Sequence, residues 1–106
     1  MSDFTPGSGY AVQIAGSVSI ATGGTSNITA DTVVKAGSGR VIRFNVLVAG
    51  SGAGAIHDAG TTGAAATANQ IAVIPQTVGI YTLEWPVSNG IVVKIGTGQT
   101  VAVSYT

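Results

Sequence analysis

Along most of the chain, apolar and polar side chains alternate one by one. In "RVIRFNVLVAG", Ile42, Phe44, Val46 and Val48 fall on one side and Arg43, Asn45 and Leu47 on the other. In "GIYTLEW", Tyr81, Leu83 and Trp85 alternate with Ile80, Thr82 and Glu84; in "GIVVKI", Ile91, Val93 and Ile95 alternate with Val92 and Lys94. "TVAVSYT" sets Val101, Val103 and Tyr105 together. A period of two with β-branched enrichment is the signature of strands packed on one face. Weaker runs of the same kind are "YAVQIAG", "SVSIAT", "DTVVKAG" and "QIAVIP". Turn chemistry bounds the runs: "AGSG" at 36–39 and again at 49–52, "SNG" at 88–90 and "GTGQ" at 96–99.

No stretch has the 3.6-residue period of an amphipathic helix, and only 64–68 has helix-forming composition. Short strands at intervals of about 8–12 residues predict an all-β antiparallel β-sandwich, with Greek-key and jelly-roll connections both open. The first ten residues, "MSDFTPGSGY", break the alternation. They are expected to form an extended N-terminal arm that orders against a neighbour with Phe4 as its anchor, the alternative being a frayed terminus, ahead of one sandwich domain over 11–106.

Two apolar residues fall on the side that the pattern leaves to solvent. Leu47 and Val92 stand beside Arg43 and Lys94, opposite the core residues of their strands. An outer face that is part apolar and sparsely charged has the character of an interface.

Composition strengthens that expectation. Charged residues are 8% of the chain with a net charge of zero, against roughly 25% in an average soluble domain. Such a surface lacks the self-repulsion that keeps copies apart. The four cations, Lys35, Arg40, Arg43 and Lys94, form no basic stripe, so no nucleic-acid partner is expected. The chain has no cysteine for a disulfide framework, a thiolate metal site or a nucleophile. No apolar run is long enough to cross a membrane as a helix. The opening residues lack a signal peptide's basic and apolar regions, so synthesis in the cytoplasm is expected.

Residues 50–70, "GSGAGAIHDAGTTGAAATANQ", hold the only histidine, next to an aspartate. Adjacent strand residues point to opposite faces, so His57 and Asp58 do not orient one another as a catalytic pair must. The carboxylates at 3, 31, 58 and 84 are too scattered to complete a metal site around one histidine. Neither an enzyme nor a cofactor is therefore expected. The expected roles are a partly exposed His57 at a strand end and an Asp58 accepting backbone N–H bonds in a turn. "GSGAG" at 50–54 lacks the Gly-Lys-Ser/Thr ending of a phosphate loop. "NIT" at 27–29 matches a glycosylation acceptor without a secretory signal to give it meaning. Trp85 is expected in the core, the alternative being a sugar-stacking platform. The segment after Asp58, with Thr61 and Thr62, is expected to be an ordered small-residue crossover that other backbone approaches closely, and so an interface loop together with His57.

The order "NVLVAG", "GAIHDAGTTGAAATANQIAVIP" and "GIYTLEWPVSNGIVVKIGTGQTVAVSYT" resembles small all-β structural proteins of tailed bacteriophages. The resemblance covers about residues 38–106 and is carried by His57, Asp58, Gly63, Asn69, Pro75, Trp85, Gly90 and Tyr105. His57 departs from it, since that position is often aromatic in the group. The resemblance implies a virion component, most like a head decoration (cement) protein. Such a protein would bind the major capsid protein across capsomer joints and associate with itself, commonly as a homotrimer. A tail or fibre module that binds host-surface carbohydrate is the other role it implies.

Overall fold

A computed structural model of the chain describes residues 20–106. Phe4, the arm and the "YAVQIAG" strand lie outside the described residues. Eight strands follow one another: β1 (Gly23–Ile28), β2 (Thr32–Ala36), β3 (Gly39–Val48), β4 (Gly54–Asp58), β5 (Gln70–Ile74), β6 (Gly79–Val87), β7 (Gly90–Lys94) and β8 (Thr100–Tyr105). Two single-turn 3-10 helices, Thr62–Ala64 and Thr67–Asn69, interrupt the passage from β4 to β5.

The strands form two antiparallel sheets, in the orders β1-β8-β3-β6 and β2-β7-β4-β5. First pairs with last, second with seventh, third with sixth and fourth with fifth. That nesting is the jelly roll, a long ribbon of paired strands rolled into two sheets. Of the two connectivities open from the sequence, the structure has this one.

The core lies between the sheets. Ile28, Val41, Phe44, Val46, Val87, Val101 and Val103 come from the first sheet, and Val34, Ile56, Ile74, Ile91 and Val93 from the second. The Phe44 and Tyr81 rings stack at 5.1 Å between centroids. Burying each such Val, Ile or Phe side chain contributes about 1.5–3 kcal/mol. Gln99 is a buried polar residue, 1% exposed, and it ties the β7–β8 turn to the chain just after β5. Its Nε2 donates to Pro75 O at 2.9 Å, and its Oε1 accepts from Gly96 N at 3.2 Å.

Several sequence expectations need correction, and bulges cause most of them. The β3 register shifts between Val41 and Arg43 against both neighbours and again between Val46 and Val48 against β8. Val41 therefore joins Phe44 and Val46 in the core, Ile42 is buried as well, and Val48 emerges half exposed. In β6, Glu84 takes a φ of 54°, and the Arg40 guanidinium donates to its carbonyl at 2.8 Å. Trp85, expected in the core, follows this break on an edge strand and is 51% exposed. "SVSIAT" yields no strand over its described residues: Ile20 is 75% exposed, and β1 begins at Gly23 instead.

Candidate interaction surface

The two outer faces of the sandwich differ. On the second sheet, His57 sits opposite Val92, one position out of phase with the core residue Ile56. Both are nonetheless buried, Val92 at 0% and His57 at 5%. The chain from Ala59 to Asn69 folds back over them as a strap. Its small side chains let backbone approach the sheet closely, as the composition of 50–70 anticipates.

Hydrogen bonds hold the strap. Asn69 Nδ2 donates to Ala64 O at 2.9 Å, and its Oδ1 accepts from Ala66 N at 2.9 Å, which fixes the orientation of the amide. His57 Nδ1 lies 2.9 Å from Ala66 O and 3.0 Å from Asn69 Oδ1. Both atoms are acceptors only, so the proton is on Nδ1. Thr61 Oγ1 accepts from Ala64 N at 3.2 Å and caps the first helical turn.

Asp58 faces elsewhere. Its carboxylate accepts from Asn89 N at 2.8 Å and from Ser88 N at 3.0 Å, holding the β6–β7 turn. Partial burial pushes this carboxyl up, but the N–H groups of Asn89, Ser88 and Gly90 and the Asn89 side chain outweigh it. The net position is below the ordinary 3.8. The expected role, an aspartate accepting backbone N–H bonds, holds, although the turn it serves is thirty residues away in sequence. His57 and Asp58 thus serve separate networks. Among the described residues no group of three or more His, Cys, Asp or Glu is placed to hold a metal.

Two of the expected interface residues are therefore corrected. Val92 is sealed beneath the strap, and His57, expected to be partly exposed, is an internal latch. Sequence periodicity placed both on the outer face rightly and missed what covers it. Thr61 is exposed but committed to its cap, and Thr62 is half-buried beside it. A depression of about 330 Å³ lies between the strap and the β6–β7 turn, lined by Asp58, Thr61, Asn69 and Asn89 among others.

The outer face of the first sheet has no such strap among the described residues. Arg43 lies opposite Thr82 and Ser104, and Asn45 opposite Ile80 and Ala102. Small side chains leave a shallow trough of about 250 Å³ along Gly24, Ser26, Asn45, Ala102 and Ser104. Beside it stand Leu47 at 48%, Val78 at 62% and Ile80 at 72% exposure. Leu47 is exposed as the pattern predicts. Ile80 lies on the minor face of β6 and Val78 just ahead of that strand, so a pattern that reports core residues marks neither as exposed apolar surface.

Compared with known proteins, the chain matches no family model, and it has no significant match to a curated protein or a solved structure.

Proposed function

We propose that this protein is a structural component of a tailed-phage virion, a head decoration protein that binds the major capsid protein across capsomer joints. The observation that carries the reading is the open face around Leu47 on a jelly roll with almost no charge. An apolar strip beside a small-residue trough favours a packed protein neighbour over solvent. The jelly roll is also an architecture used by viral capsid domains, which supports the reading by analogy only. Binding that favours the assembled shell stabilises it by mass action, and many modest contacts act together. In this role the protein is made in the host cytoplasm and resides in the virion, without catalysis or a cofactor.

The test is addition of purified protein to expanded, undecorated heads. Wild type is expected to co-sediment with them and raise their resistance to heat and chelator, whereas Leu47→Lys binds at least about tenfold more weakly. Heads that gain neither protein nor resistance overturn the proposal.

Half-exposed Trp85 supports a second reading, a tail or fibre module that stacks host-surface sugar on the indole. Trp85 is the only tryptophan, so its fluorescence reports this site alone. The emission is expected to be red-shifted and readily quenched by acrylamide. Protection of that emission by cell-surface polysaccharide would favour this reading, and indifference to polysaccharide removes it.

A further inference from the structure

Among the described residues the sandwich has four edge strands, β1 and β6 in one sheet and β2 and β5 in the other. An edge offers unpaired backbone N–H and C=O groups to any strand that arrives, and proteins guard against this with bulges, charges and proline. Three of the edges are guarded. β1 is broken between Thr25 and Ile28, with Asn27 at a φ of 54°. β2 shifts register between Val33 and Lys35 and carries that lysine. β5 is broken between Gln70 and Ala72, which leaves three residues in unbroken register before Pro75 ends the run.

The fourth edge is guarded over only half its length. Glu84, in its left-handed conformation, and Pro86 interrupt the second half of β6. From Gly79 to Thr82 the strand is paired with β3 in unbroken register, and it carries neither charge nor proline. Val78 and Ile80 are among the most exposed apolar side chains on the surface described, with Leu47 close by on β3.

We propose that this half-edge pairs with the same half-edge of a second copy, antiparallel and across a twofold axis, joining two four-stranded sheets into one of eight. The run Val78-Gly79-Ile80-Tyr81-Thr82 suits its own reverse. Folded about Ile80, it sets Ile80 against Ile80 and Val78 against Thr82. It also sets each Tyr81 across from the other copy's Gly79, while the Tyr81 ring stays over its own Gly79 and stacked on Phe44, clear of the new pairing. Apolar and β-branched cross-strand pairs of this kind are favourable. Glu84 and Pro86 fall outside the paired stretch and limit its length, and a net charge of zero removes long-range repulsion between copies. The contact is isologous, so it differs from the threefold arrangement that the phage resemblance implies. It does not depend on the virion reading.

The test uses the full chain in sedimentation equilibrium. Wild type is expected to dimerise, and Ile80→Lys, which places like charges opposite one another, is expected to raise the dimer Kd by at least about tenfold. Because Ile80 is exposed, that variant should keep the wild-type circular dichroism, and its melting temperature should match wild type at concentrations low enough to leave both monomeric. The chain has no cysteine, so an introduced thiol gives an independent readout. Ile80→Cys is expected to be captured as a covalent dimer by a short bismaleimide, whereas Val73→Cys, also exposed on an edge strand, β5, is not. A monomeric wild type, an Ile80→Lys chain that associates as before, or a trimer not captured through position 80 would each overturn the proposal.

Discussion

Replacing Gly90 by alanine is expected to lower stability by about 3–5 kcal/mol, a large share of the roughly 5–15 kcal/mol that holds a typical domain folded. Two costs combine at this position. Gly90 has a φ of +151°, which side chains rarely adopt. A methyl group there would lie 2.5 Å from Ala59 O and 2.7 Å from Lys35 O, both backbone atoms that cannot swing aside. Those carbonyls belong to the start of the strap and to β2, so the clash forces apart the elements on either side of β7. Gly63→Ala is the control. A methyl at Gly63 meets nothing within 4 Å, and the change is expected to stay within about 0.5 kcal/mol of wild type. Chemical denaturation of the two variants checks both values.

Asp58→Ala is expected to cost about 1 kcal/mol at neutral pH, because the Ser88 and Asn89 N–H groups it leaves are exposed and can bond water instead. Its signature is pH dependence. The folded carboxyl titrates below its ordinary value of 3.8, so it contributes its full stabilisation above that value. The contribution is lost as pH falls through the folded-state value. Wild type and variant should therefore differ most near neutrality and converge as the solution is acidified. A difference that is constant from pH 7 to pH 2 would show that the carboxylate's charge has no part in holding the β6–β7 turn.

The sheets were legible in the sequence because an alternating pattern reports which side of a strand is buried. Phe44, Val46, Ile91, Val93, Val101 and Val103 all stand in the core where the period puts them. The pattern says nothing about interruptions to itself. Bulges in β3 and β6 cost one residue of phase each, which is why Val48 and Trp85 ended outside. β1, "GGTSNI", was illegible because an edge strand with one buried residue, Ile28, needs almost no apolar signal. Strand order was beyond reach because pairing partners lie far apart in sequence. At the candidate surface, Leu47 was legible from its own strand. His57 and Val92 were placed on the right face but not under their cover, because that cover consists of alanine, glycine and threonine backbone with little hydropathy to announce it.

The nesting of the strands has a consequence for how the protein is made. β8 comes last among the described strands, yet it lies inside its sheet, between β1 and β3. Until it leaves the ribosome, β1 lacks its partner among the described strands and β3 is paired only with β6. The nascent chain thus carries two open edges that the finished protein does not. Folding waits for the final strand, and because the pairs span nearly the whole chain, closure is slow. During that interval the chain is most exposed to pairing with the wrong neighbour. Damage to the few residues of β8 would accordingly do more harm to yield than to any single contact, because it removes the strand on which the sheet closes.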